Sequence, residues 1–244
     1  MHNWGASTAF LLVTFRLVQY LSTLRMAEVL FITFEGTEGG GKTTQINLLA
    51  ERLRSLGHSC RLLREPGGTL IGEEIRGTLK HSASDRAMTP EAELLLMNAS
   101  RAQLVREIIR PALLAGEIVL CDRFYDSTVA YQGYGRQLDL EFVRRVIDFA
   151  VENTRPQLTI LLSLSVELSE SRRGSRRSAG LADRDRFEDE SDRAFFLRVE
   201  EGYRAIAAAE PRRVRIVDAA QTVDSVRDTI WRLVEPLLTG LERR

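Results

Sequence analysis

The chain has 244 residues, with 34 Lys and Arg against 34 Asp and Glu, so its formal net charge is zero. That balance excludes a broadly basic nucleic-acid-binding face, and the length suits one sizeable α/β domain. Cys60 and Cys121 are the only cysteines; they fit no metal spacing and read as reduced, buried thiols of a cytoplasmic protein.

Residues 1–27 differ from the rest. No acidic residue precedes Glu28, and 9–24 is largely apolar but interrupted by Arg16. It is too short and too charged for a comfortable membrane span and lacks a convincing cleavage site. We read 1–27 as an extension outside the fold, upstream of a possible start at Met26, and no other segment has membrane character.

Residues 29–34 are apolar and β-branched, the pattern of a buried strand. Next comes Gly36-Thr37-Glu38-Gly39-Gly40-Gly41-Lys42-Thr43, which fits G-x-x-x-x-G-K-[ST]. Ile46, Leu49, Leu53 and Leu56 follow at helical spacing, and Gly57 stops the helix. A phosphate chain needs many donors at close range. The glycines let backbone amides approach it at a helix N-terminus. Lys42 would reach the outer phosphates, and the Thr43 hydroxyl would ligate Mg2+.

Residues 59–64 predict a second strand, ending in the turn Arg64-Glu65-Pro66-Gly67-Gly68-Thr69. Ligands of open parallel sheets bind beyond the carboxyl ends of strands, so this charged turn is a second candidate site. A helix over 71–79 carries Arg76. Residues 83–88 are a polar connector. Thr89-Pro90 opens a long helix to about Gly116, with Pro111 as the expected kink. Residues 117–121 are the third strand. It ends at Asp122-Arg123, where a carboxylate is suited to Mg2+ or its water shell; the plainer reading is a local ion pair. Residues 124–136 are polar and rich in groups that could line a pocket, or simply form a loop leading into a helix.

A helix over 142–151, a strand over 158–164 and a helix after Ser165 follow. Then comes the basic run Arg172-Arg173-Gly174-Ser175-Arg176-Arg177, a solvated face or a mobile lid closing over a triphosphate. A helix over 192–209, a strand over 214–217 ending at Asp218, and a helix over 223–238 complete the chain. Strands alternate with helices, which implies a parallel sheet of about five strands flanked by helices.

From about residue 29 to 238 the chain resembles bacterial thymidylate kinase, a P-loop nucleoside monophosphate kinase. The resemblance rests on the ordered set Phe-Glu-Gly-Thr-Glu-Gly-Gly-Gly-Lys-Thr-Thr at 34–44, Arg-Glu-Pro-Gly-Gly-Thr at 64–69, Ser-Arg-Ala-Gln-Leu-Val at 100–105, Asp-Arg-Phe-Tyr-Asp-Ser-Thr at 122–128, Ala-Tyr-Gln-Gly at 130–133 and Asp-Arg-Phe-Glu at 185–188. It implies a three-layer P-loop NTPase-type fold over 28–244 with an arginine-rich lid at about 172–188. It implies transfer of the ATP γ-phosphoryl to dTMP, with Mg2+, in a homodimer with no nucleic-acid or membrane partner. By the same resemblance, Arg76 and Arg123 clamp the monophosphate and Glu38 lies near the sugar 3′-hydroxyl. Arg101 reads a thymine carbonyl, Ser127, Thr128 and Gln132 line the base and sugar pocket, and Glu65 is an acceptor-site carboxylate near the metal. The phosphate loop lacks the arginine some family members carry there. Members without it use lid arginines, so Arg173, Arg176 and Arg177 are the candidates. Met97 stands where the family usually has an aromatic that stacks on thymine, which implies a looser base pocket; the alternative is a core methionine. Other readings are a kinase for a different nucleotide or nucleoside, such as dUMP, or a nucleotide-dependent switch that phosphorylates nothing small.

Overall fold

A computed structural model describes residues 29–81, 88–178 and 193–242, with backbone alone at 81, 173, 176–178 and 240–242. In chain order the elements are β1 (Phe31–Glu35), α1 (Lys42–Ser55), β2 (Cys60–Arg64), α2 (Leu70–His81), α3 (Pro90–Leu104), α4 (Arg110–Leu114), β3 (Ile118–Asp122), α5 (Tyr125–Thr128), α6 (Leu140–Val151), β4 (Leu158–Ser163), α7 (Val166–Ser178), α8 (Arg193–Ala209), β5 (Val214–Asp218) and α9 (Val223–Glu242). The strands form one five-stranded sheet in the order β2-β3-β1-β4-β5, and every pairing is parallel.

A parallel sheet is covered on both faces, so its strands must be apolar on both. Alternation along β1 divides the core in two. Phe31 faces a cluster with Leu94, Leu104, Val143 and Phe195 from α3, α6 and α8. Ile32 and Phe34 face a second cluster with Ile46, Leu49, Leu53, Ile230 and Val234 from α1 and α9. The first face carries a polar inclusion. Thr33 and Thr159 share a hydrogen bond of 2.7 Å. Beside them Asp126 is paired by Arg213 at 2.7 Å.

The predicted strands and helices are all present, and two local expectations change. The long helix is not kinked by Pro111. Its irregularity is a π-helical turn at Val105–Ile109, which runs α3 into α4. Pro111 falls in the first turn of α4, where its missing N–H costs little. Residues 124–136 are not an open loop: α5 continues into a second π-helical stretch, Val129–Gly135. Cys121 is buried as expected, but Cys60 is only partly buried, on the edge strand β2.

Candidate active site

The carboxyl ends of β1, β2 and β3 and the middle of α7 surround a cavity of about 800 Å3. Its phosphate-loop side is built by the turn from β1 into α1. Gly41 caps α1 in the left-handed conformation, φ 81°, without any side-chain cap, and the first turn has no acidic residue. Thr89 caps α3 and Asp139 caps α6 through their side chains. The first-turn amides of α1 are thus left to a ligand, and a helix N-terminus favours an anion there.

Lys42 is 7% exposed and donates to the carbonyls of Gly36 at 3.0 Å and Thr37 at 2.9 Å. Arg123 also donates to the Gly36 carbonyl, at 3.3 Å. Two cations therefore converge on one backbone oxygen. Burial, helped by the Arg123 charge, lowers the Lys42 ammonium to about 8. A bound phosphate oxygen would replace these weak acceptors with a charged one. Thr43 Oγ1 donates to Asp122 Oδ2 at 2.9 Å, so a hydroxyl and a carboxylate from two elements meet at the cavity. Hard oxygens of this kind suit Mg2+ held mainly by phosphates and water. Asp122 is thus engaged with Thr43, not paired with its neighbour Arg123. The nearer acid to Arg123 is Glu38, at 3.9 Å. Oε2 of Glu38 is buried without a hydrogen bond, as is Thr37 Oγ1.

The acceptor side comes from the ends of β2 and β3 and from α3. Glu65 and Arg101 form a buried pair at 2.7 Å, and their side chains are 3% and 2% exposed. Burial pushes the Glu65 carboxyl up to about 7 against the pull of Arg101. Arg101 is fixed further by Asn98, Thr128 and the Phe124 carbonyl. Arg76 donates to the Pro66 carbonyl at 2.8 Å. Met97 lines the cavity together with Arg101, Thr128 and Gln132, so it is wall and not merely core. Ser127 lines it too, but its hydroxyl is committed to Glu35 at 2.5 Å and to Arg123 at 3.2 Å. The same hydroxyl thus holds the Arg123 guanidinium in place. Gly36, Thr37 and Gly40 shape the loop from behind: a side chain at Gly36 would meet Leu162.

Glu35 escaped the sequence reading, while Tyr131 and Arg172, named there only within motifs, gain definite contacts in the structure. Glu35, at the end of β1, is fully buried and accepts from Phe124 N at 2.7 Å and Tyr203 at 3.1 Å besides Ser127. Burial and the nearby Asp126 raise its carboxyl to about 7. The signal was present, since Glu35 is a lone carboxylate closing an apolar strand just as Asp122 is. Tyr131 flanks Arg123, whose guanidinium lies 5.1 Å from its ring centre. On α7, Ser169 donates to the Glu38 carbonyl at 2.7 Å and Arg172 to the Gly39 carbonyl at 3.1 Å, which ties the root of the basic run to the phosphate loop. The side chains of Arg173, Arg176 and Arg177 lie outside the described residues, as do 179–192, which include the rest of the expected lid, and 1–28, which include the expected extension.

A family model described as thymidylate kinase matches residues 34–230. The chain belongs to the thymidylate kinase family. A thymidylate kinase of Syntrophotalea carbinolica is 50% identical over 202 residues, covering 82% of this chain and 93% of the relative. One of Geotalea uraniireducens is 48% identical over 201 residues, covering 82% and 93%. The crystal structure of thymidylate kinase from Ehrlichia chaffeensis superposes with a TM-score of 0.67 at 32% identity, covering 84% of this chain and 98% of that one. Family membership and the five-stranded parallel sheet agree with the sequence-based expectation.

Proposed function

We propose that this chain transfers the γ-phosphoryl of ATP to the 5′-phosphate of dTMP, giving dTDP and ADP. One observation carries the reading. A single cavity is lined both by an uncapped helix N-terminus with Lys42 and by the Glu65, Arg101, Thr128 and Gln132 group. Donor and acceptor nucleotides can thus share one enclosure.

The acceptor phosphate is already an anionic nucleophile and needs no strong base. The task is to bring two anions together in line and neutralise the charge that spreads between them. In this proposal the loop amides and Lys42 hold the ATP phosphates, and Arg123 and Arg76 hold the monophosphate. Glu38 lies by the sugar, and Arg101, Thr128, Gln132 and Met97 receive the base. Thr43 and Asp122 would hold Mg2+, which supplies charge neutralisation across the phosphates when bound. Arg173 and Arg176 would bring further positive charge when the lid closes. The domain starts at about residue 28, with 1–27 outside it. An ADP-release assay with dTMP, dUMP, UMP and thymidine tests the reading. We expect dTMP to be preferred and Lys42→Ala to lose at least about 100-fold in kcat. An inert dTMP beside an active alternative acceptor overturns it.

A further inference from the structure

Helix α3 presents Glu93, Met97 and Arg101 at four-residue spacing, which stacks them along one helix face. Opposite, Thr128 and Gln132 stand four residues apart where α5 runs into the π-helical stretch. Two rungs join these rows. Arg101 Nη1 donates to Thr128 Oγ1 at 2.9 Å, and Gln132 Nε2 donates to Glu93 Oε1 at 2.7 Å. Met97 lies between the rungs in sequence. Met97, Arg101, Thr128 and Gln132 line the cavity, whereas Glu93 stands behind that wall, 1% exposed. Its second oxygen is paired with Arg136 at 3.3 Å.

A carboxylate can only accept hydrogen bonds. It therefore dictates which end of the Gln132 amide faces it. The NH2 turns to Glu93, and Oε1 is left with no partner among the described residues. Arg101 is constrained in the complementary sense. Of its five N–H groups, four are used: on Glu65, Asn98, Thr128 and the Phe124 carbonyl. One Nη2 hydrogen remains. The wall thus offers a fixed acceptor and a fixed donor. A keto-imide pyrimidine edge, with C4=O beside N3–H, presents the complementary pattern. Cytosine, with an exocyclic amine beside a bare ring nitrogen, presents the reverse.

We propose that Glu93 is a positioning residue that sets the polarity of base recognition, holding the Gln132 carbonyl toward the cavity so that a keto-imide pyrimidine is accepted and cytosine refused. The proposal rests on the thymidylate reading above. It makes no distinction between thymine and uracil, whose edges are alike here.

The test is kcat/KM for dTMP and dCMP on the full chain and on Glu93→Gln. A neutral amide at 93 can accept or donate, so Gln132 is free to turn over. The wild type should favour dTMP by about a thousandfold or more, because a site built around hydrogen bonds strongly rejects a mismatched edge. In Glu93→Gln the ratio should fall at least tenfold, mainly through KM, with kcat for dTMP within about threefold of wild type. A packing role alone would weaken both nucleotides together and leave the ratio fixed. A ratio within about twofold of wild type, with dTMP turnover retained, overturns this proposal alone. A wild type inert toward dTMP overturns the reading beneath it and the proposal with it. Should Glu93→Gln not fold, the wild type decides by competition with N3-methyl-dTMP, which lacks the N3–H: binding at least about 30-fold weaker than dTMP supports the proposal and equal binding overturns it.

Discussion

Gly36 and Gly41 both sit in the phosphate loop at positive φ, yet the structure predicts different penalties for replacing them. Gly36 has φ 127°, and a Cβ built there lies 2.3 Å from the Leu162 carbonyl oxygen in β4. That oxygen belongs to a central strand and cannot swing aside like a side-chain tip. Backbone strain of about 1–3 kcal/mol adds to an overpacking cost of about 1–3 kcal/mol, so Gly36→Ala should lose about 4 kcal/mol. Gly41 has φ 81°, and its Cβ meets nothing within 4 Å. Gly41→Ala should carry only the left-handed strain, about 1–2 kcal/mol. At about 2–4 °C per kcal/mol for a chain of this size, Gly36→Ala should melt about 8–16 °C below wild type and Gly41→Ala about 2–8 °C below. Calorimetry without nucleotide measures both. Gly41 lines the cavity, so Gly41→Ala should also bind ATP more weakly while staying folded. Equal melting temperatures for the two variants would refute this account of the loop.

Lys42 carries a pH prediction. Its ammonium sits at about 8 in the free protein because burial and Arg123 disfavour the charge, and a triphosphate beside it would raise that value. ATP binding should then take up a proton above pH 8, and affinity should fall as pH rises, by up to about tenfold per unit. Titration calorimetry in two buffers of different ionisation enthalpy reads the uptake; proton release would contradict it. Arg213→Met leaves Asp126 buried without its 2.7 Å partner. It should lower unfolding free energy by about 3–5 kcal/mol with an unchanged urea m-value, and a loss under about 1 kcal/mol would show the pair to be dispensable. Arg123→Lys keeps the charge but loses the fork that reaches Ser127 and Tyr131. The KM for dTMP should rise about 10- to 100-fold, and an unchanged KM would remove Arg123 from the acceptor site.

The sheet was legible because each strand is a short apolar run bounded by turn residues, and the alternation along β1 also sorts its side chains between the two cores. The phosphate loop was legible because glycine, lysine and threonine occur in one local register. What the sequence did not show is cross-chain wiring. Glu35 meets Phe124, Ser127 and Tyr203 from distant segments, and no local spacing announces such a meeting. The motif placed Ser127 at the cavity, where it lies, but gave no sign that its hydroxyl also bridges Glu35 and Arg123. The π-helical stretches were hidden too, since they alter the helical period only briefly while apolar spacing averages over several turns.

With both nucleotides in one enclosure, the phosphoryl group passes directly from donor to acceptor. Rapid-quench incubation of the full chain with Mg2+, dTMP and ATP labelled in the γ-phosphate tests it most directly. Direct transfer should leave the label in the β-phosphate of dTDP, one per ADP formed, and about none in free phosphate, because a closed site excludes water. Label released mainly as inorganic phosphate, with dTMP unchanged, would contradict it.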